Sequence, residues 1–300
     1  MSVSATTPGV PGRLRTFASL VKLSHSVFAL PFALLSLLAA SGGVPSWRLV
    51  LLVVLAVVAA RTAAMAYNRL ADRAIDAANP RTAGREIPRG AVSPRAAGAL
   101  AAAAAAVFLV ACWLLSPLCF WLGLPTLAWL FAYSHCKRFT WLSHAWLGAA
   151  LGIAPVAAWL AADGSFGLRL WAPLVLGIAV ALWVAGFDVL YACQDEQFDR
   201  QIGLHSLPAR FGACAALAVA RGLHALAFAG FVAFGLLVPL GAGWFAACAL
   251  AAGLLVWQHR LIAPQDLARI DMAFFTANGT IAVLMLAGGC VDLFVLPHLA

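Results

Sequence analysis

The sequence predicts an all-α integral membrane bundle of nine helices, with the N-terminus inside and the C-terminus outside. Three observations predict it. The 300 residues are 64% hydrophobic and only 10% charged, against roughly 25% charged in soluble domains; so little charge cannot cover a soluble surface, and lipid must cover it instead. The apolar residues fall into nine runs of near-spanning length. The basic residues collect at one end of those runs.

A span needs roughly 20 apolar residues. The runs lie near 17–40, 49–68, 96–115, 118–135, 141–161, 171–192, 213–238, 243–260 and 273–296. Ser116-Pro117 separates the third from the fourth, and Pro239 with Gly241–Gly243 separates the seventh from the eighth. Residues 1–12 are small and polar and read as a disordered cap, without the pattern of a cleaved signal peptide. Residues 13–300 show no polar linker and read as a single membrane domain.

Lys and Arg choose the side. With the N-terminus inside, the inner segments carry Arg13, Arg15, Lys22, Arg69, Arg73, Arg81, Arg85, Arg89, Arg95, Lys137, Arg138, Arg200, Arg210, Arg221, Arg260 and Arg269; the outer loops carry Arg48 and Arg169. Arg61 lies within the second span. The net charge of +8 is this asymmetry, and it requires no nucleic-acid partner. The seven cysteines form no CxxC pair and sit in or beside apolar runs, which implies neither a disulfide framework nor a zinc site.

On this topology only Asp163 and Asp292 face outward; every other acid lies at the inner face. Carboxylates at helix depth are costly and mark function. Asn68, Asp72 and Asp76 follow i, i+4, i+8 at the end of the second span and share one helix face. Tyr191, Asp195 and Asp199 repeat that spacing at the end of the sixth, with Asp188 one heptad before Asp195. Like charges one turn apart repel. A hard cation relieves the repulsion, and Mg²⁺ suits because it takes a few carboxylates and completes its shell with water and substrate phosphates. A short basic segment broken by Pro and Gly follows each pair, with Arg81, Arg85, Pro88 and Gly90 after the first and Arg200, His205, Pro208, Arg210 and Gly212 after the second. Guanidinium groups bind phosphate oxygens in bidentate fashion. Each half therefore offers carboxylates for metal and cations for phosphate. The bundle reads as two four-helix repeats plus one helix around a central cavity.

At these residues the chain resembles the UbiA family of intramembrane prenyltransferases. The first motif reads Asn68-Arg69-x-x-Asp72-x-x-x-Asp76 and the second Asp195-x-x-x-Asp199. Arg69 stands where the family usually has an acid, so Asn68, Asp72 and Asp76 hold metal with fewer charges. The resemblance implies an inner-membrane, Mg²⁺-dependent enzyme with its active site on the cytoplasmic face. It implies transfer of a polyprenyl group from a polyprenyl diphosphate to an aromatic carboxylate, either 4-hydroxybenzoate or 1,4-dihydroxy-6-naphthoate, in ubiquinone or menaquinone synthesis. The form Asn-Arg-Leu-Ala-Asp-Arg resembles the branch tied to menaquinone made through futalosine. The expected metal ligands are Asn68, Asp72, Asp76, Asp195 and Asp199; Arg69, Arg81, Arg85 and Arg210 are expected on phosphate.

Other residues carry two readings each. Asp188 either orients the acceptor or assists proton removal, or it partners a buried cation such as Arg61. Tyr67, Phe187 and Tyr191 either stabilise an allyl cation or pack. Lys137, one turn after Tyr133, either contacts diphosphate or anchors the interface by snorkelling. His25 either meets the acceptor carboxylate or packs at the interface, and Asn278 either ties helices or touches substrate. A transporter or lipid-binding protein is the alternative of another class, but it would place charge near the midplane of several spans.

Overall fold

A computed structural model describes residues 16–21, 28–262, 270 and 276–295. The expected N-terminal cap and His25 lie outside the described residues. Among these residues there are helices and no strands. Eight helical segments are long and apolar enough to cross a membrane. They correspond to the second through ninth predicted runs. The first run is described as a helix over α1 (Leu30–Ser41), 12 residues, which is shorter than a span requires.

The order continues with α2 (Trp47–Ala71), the short α3 (Arg73–Ala78), α4 (Pro94–Leu115), α5 (Pro117–Cys136), α6 (Ser143–Asp163) and α7 (Trp171–Ala192). It closes with the short α8 (Glu196–Gln201) and α9 (Leu207–Phe211), then α10 (Ala213–Leu237), α11 (Ala242–Leu261) and α12 (Asn278–Cys290). Helix starts follow local chemistry. Ser46, Ser93, Ser116 and Ser206 each accept an orphan amide of the first turn, and proline follows Ser93 and Ser116 directly at a position that needs no N–H. Ser116-Pro117 is thus the boundary between α4 and α5.

Both acidic motifs lie on a break rather than on an unbroken helix. Asp72 ends α2 with φ −95° and ψ 8°, and α3 starts after it. Asp195 closes a 3₁₀ turn after α7 with φ −101° and ψ 5°, and α8 starts after it. The i+4 bonds still run through the first break, from Asp72 N to Asn68 O (2.9 Å) and from Asp76 N to Asp72 O (2.7 Å). The predicted shared face therefore survives the bend.

Small residues hold the bundle together, as lipid supplies no hydrophobic force between helices. A methyl at Gly148 would meet the Ala181 carbonyl at 2.2 Å, and one at Gly152 the Gly177 carbonyl at 2.4 Å, so α6 and α7 touch backbone to backbone. Gly186 makes room for His224 of α10, and Gly243 faces Gly288 where α11 meets α12. Trp129 and Trp146 stack at 3.9 Å, each indole N–H donating to the other's carbonyl, and so lock α5 to α6. Asp292 accepts from the amides of Gly241, Gly243 and Trp244 at 2.7–2.9 Å and caps the start of α11. Asn278 accepts from the Trp183 indole at 3.1 Å, which supports the helix-tying reading.

Gly152→Val, which drives a side chain into the α7 backbone, is expected to destabilise the protein by about 3 kcal/mol. Gly222→Ala, at an exposed helical site with nothing within 4 Å, is expected to gain about 0.5–1 kcal/mol. Thermal unfolding of the detergent-purified protein checks both.

Candidate active site

The breaks after α2 and α7 bring the two motifs to the walls of one cavity of about 610 Å³. Asn68, Arg69, Asp72, Asp76, Arg81, Arg85, Lys137, Asp188, Tyr191, Asp195 and Asp199 all line it. Each motif acid faces a cation. Asp76 accepts from Arg85 at 2.6 Å, Asp72 from Arg138 at 2.9 Å, and Lys137 Nζ stands 3.7 Å from Asp199. Arg81 grips Asp195 with two nitrogens, Nε at 2.8 Å and Nη2 on the other oxygen. Asn79 adds a bond to Asp195 at 2.9 Å. Three of these contacts cross the halves: Arg81 and Asn79 follow the first motif yet hold Asp195, and Lys137, at the end of the fourth span, faces Asp199. Arg81 also reaches the Tyr191 hydroxyl at 3.1 Å and lies 5.1 Å from its ring.

Asn68 donates to Asp72 at 2.8 Å, so the first motif is internally bonded as its spacing predicts. Burial pushes the Asp72 carboxyl above the ordinary carboxylate range, and the Arg138 hydrogen bond and charge offset this in part. Buried oxygens remain without a hydrogen bond at Asp76 Oδ2 and Asp199 Oδ2. An unmet carboxylate oxygen in each motif fits a cation ligand set that is finished by phosphate and water. No three His, Cys, Asp or Glu side chains converge as a ready-made metal cluster among the described residues. The site thus fits a metal that arrives with its phosphates better than a resident structural ion.

Arg69 is 6% exposed, and its Nε lacks a hydrogen-bond partner. Arg61, deeper in α2, also has a buried Nε without a partner. Neither appears in an ion pair among the described residues. A buried guanidinium is costly unless an acceptor meets it, so both read as sites for anions that a substrate brings. Arg61 stands at a junction. It lines the polar cavity and an adjoining apolar cavity of about 170 Å³ bounded by Val53, Ala56, Phe108, Cys112, Cys119 and Gly123. Met65, Asn68 and Tyr133 also line both.

Some expected residues lie elsewhere. Arg210 is exposed and packs over Trp141 (5.9 Å) and Phe211 (5.3 Å), outside the cavity lining. Phe211, next in the chain, and Trp141, from the segment between α5 and α6, hold it there. Asp188 lines the cavity, but its partner is His144 at 2.7 Å, not Arg61. Phe187 lines the cavity and packs on Phe28 and Trp183. Tyr67 bonds His135 at 3.0 Å and packs on Phe131, outside the lining. Sequence reasoning missed Asn79, Arg138 and His144 as site residues and passed over Arg61. A lone charge inside an apolar run was the signal for Arg61. His144 had a weaker signal of the same kind; Asn79 had none beyond proximity to the first motif, and Arg138 none beyond its place next to Lys137.

The likenesses to known proteins agree with this geometry. The 4-hydroxybenzoate octaprenyltransferase of Vibrio parahaemolyticus is 30% identical over 264 residues, 88% of this chain and 89% of that protein. The enzyme of that name from Nitrosospira multiformis is 33% identical over 256 residues, 85% and 87% of the two chains. The apo structure of a UbiA homologue from Aeropyrum pernix superposes with a TM-score of 0.82 at 36% identity, covering 91% of this chain and 99% of that one. A UbiA homologue from Archaeoglobus fulgidus bound to DMAPP and Mg²⁺ shares the fold, with a TM-score of 0.72 at 20% identity over 93% of this chain and 99% of that one. The profile of the UbiA prenyltransferase family matches residues 29–279. With its eight spanning helices and this match over most of its length, the chain is an integral membrane protein that belongs to the UbiA prenyltransferase family.

Proposed function

We propose that the protein transfers a polyprenyl group from a polyprenyl diphosphate to an aromatic acceptor with a ring carboxylate, either 4-hydroxybenzoate or 1,4-dihydroxy-6-naphthoate. The observation that carries this reading is the mismatch of charges in the cavity. Arg61 and Arg69 each keep a buried Nε without a hydrogen-bond partner, while Asp76 Oδ2 accepts no hydrogen bond and Asp199 Oδ2 has only Lys137, 3.7 Å away. A diphosphate that enters with divalent metal satisfies the acids and Arg69; a carboxylate satisfies Arg61. The relatives named 4-hydroxybenzoate octaprenyltransferase support an acceptor of this class.

Asn68, Asp72, Asp76, Asp195 and Asp199 are the residues that would hold Mg²⁺, which when bound supplies positive charge against the departing diphosphate. Arg81, Arg85, Lys137 and Arg138 neutralise the acids in the free protein and are the cations that would bind phosphate oxygens of the donor. Their charge then favours the state in which the allylic C–O bond has broken. Tyr191, stacked on Arg81, presents an aromatic face to the same space. The apolar cavity beyond Arg61 takes the isoprenoid tail, and its dry walls keep water from the allyl cation. The ring of the acceptor, held through its carboxylate, attacks the cation and loses a proton.

The reading extends to topology. The nine-helix count rests on the nine apolar runs, and the N-in orientation and a cytoplasmic-face site in a bacterial inner membrane rest on the clustering of Lys and Arg. The four-helix repeat rests on the like backbone angles of Asp72 and Asp195. It also rests on a shared packing pattern, in which α2 lies along α4 as α7 lies along α10.

The test is incubation of the detergent-purified protein with a labelled polyprenyl diphosphate, Mg²⁺ and either acceptor. Prenylated product with one acceptor is expected, lost on chelation and reduced at least about 100-fold in Asp72→Ala and in Asp195→Ala. Arg61→Met is expected to raise KM for the acceptor by about 30-fold or more, with KM for the donor little changed. Absence of diphosphate release with either acceptor, across donor lengths, would overturn the reading and favour transport or lipid binding.

A further inference from the structure

His144 opens the first turn of α6 and is 2% exposed. Its Nε2 lies 3.3 Å from the backbone N–H of Leu207, and its Nδ1 lies 2.7 Å from Asp188 Oδ2. An amide only donates, so Nε2 accepts; the ring proton is then on Nδ1 and is donated to the carboxylate. One backbone amide therefore sets the tautomer of His144 and, through it, the orientation of Asp188. In this arrangement Nε2 carries no proton, and Asp188 has one oxygen tied by Nδ1–H and the other outside that bond.

This carboxylate differs from its neighbours. The four motif acids each face an arginine or lysine, whose charge occupies the carboxylate. Asp188 faces an imidazole N–H that orients it. It lines the polar cavity between Phe187 and Tyr191 and lies seven residues before Asp195, about 10 Å deeper along α7. That depth is below the motif acids, on the side of Arg61 and the apolar cavity. A carboxylate there adds nothing to diphosphate binding and repels an acceptor carboxylate. It can, however, take a proton from the ring while Arg61 holds the acceptor's other end.

We propose that Asp188 is the base that removes the proton lost by the acceptor ring, and that His144 is the positioning residue that keeps it aimed. The assignment rests on the prenyl-transfer reading above. In the step, the allylic C–O bond breaks and diphosphate leaves with the electron pair. The ring then forms the new C–C bond to the allylic carbon. The electrons of the ring C–H bond return to the aromatic system, and the proton passes to Asp188, which releases it to solvent after product leaves. No oxidant or reductant is needed. The link to Leu207 adds a consequence: the segment after the second motif also donates from His205 N to Lys137 O at 2.7 Å, so one segment holds both the lysine that faces Asp199 and the histidine that aims the base.

The test compares Asp188→Asn, His144→Phe and His144→Gln with two isotopic readouts. One is turnover of acceptor deuterated at the alkylated ring position; the other is scrambling of ¹⁸O from the bridging position of the donor diphosphate. In Asp188→Asn, kcat is expected to fall about 100-fold or more. In His144→Phe it is expected to fall by up to about 100-fold through misplacement of the base. Both variants should still ionise the donor and scramble its oxygen, and both should acquire a primary deuterium effect as proton removal becomes limiting. His144→Gln can accept from Leu207 and donate to Asp188 at once, and it should restore most of the turnover. Retained oxygen scrambling shows that a slow variant is folded and loaded. Wild-type kcat in Asp188→Asn, or slow turnover in His144→Phe with no deuterium effect, would overturn the assignment while the prenyl-transfer reading stands. A wild-type protein that neither releases diphosphate nor scrambles its oxygen would overturn the reaction, and the assignment with it.

Discussion

Four carboxylates at the C-terminal ends of two spanning helices, buried or half-buried, are stable in this protein because each is met by a cation. Asp72 and Arg138, Asp76 and Arg85, Asp195 and Arg81, Asp199 and Lys137 form one layer of alternating charge at the mouth of the bundle. Desolvation of a lone carboxylate would be prohibitive; pairing lowers that cost without removing the charges. The pairs also cross between halves, so the helices that carry the acids cannot drift apart without breaking them.

This layer depends on how the helices beneath it pack. Gly148 and Gly152 let α6 lie against the backbone of α7, which sets the height and rotation of Asp188, Tyr191 and Asp195. The breaks after α2 and α7 turn the second acid of each motif back toward the cavity; the i+4 bonds continue through the first, and a 3₁₀ turn carries the second. Arg61 sits below, where the polar cavity gives way to the apolar one. The result is a graded space, charged at the mouth, singly cationic at the junction and greasy beyond, which matches a substrate pair with a diphosphate, a carboxylate and a long hydrocarbon tail.

Much of this was legible before any coordinates. Low charge, apolar runs and the Ser-Pro boundary placed the spans because a bilayer admits few alternatives. The i, i+4, i+8 acids marked the site because like charges so placed demand a counter-ion. The misses share a cause. Arg210 has the chemistry of a phosphate ligand, but two aromatic rings hold it outside the cavity, and one of them, Trp141, comes from a distant segment and leaves no local trace. Asp188 was recognised as a cavity acid, yet its partner, 44 residues away on another helix, was not. Arg61 was visible as a lone charge, but its role at the junction of two cavities was not.

The sequence by itself determined what must be true locally: which segments leave water, where helices begin, and which side chains share a face. These follow from transfer energies and from the 3.6-residue period, both of which act within one segment. Tertiary structure decided which cation meets which acid, which arginines are left with unmet donors, and which histidine holds Asp188. Those outcomes depend on the approach of helices far apart in the chain, and that approach is set by backbone contacts at a few glycines whose effect appears only when the helices meet.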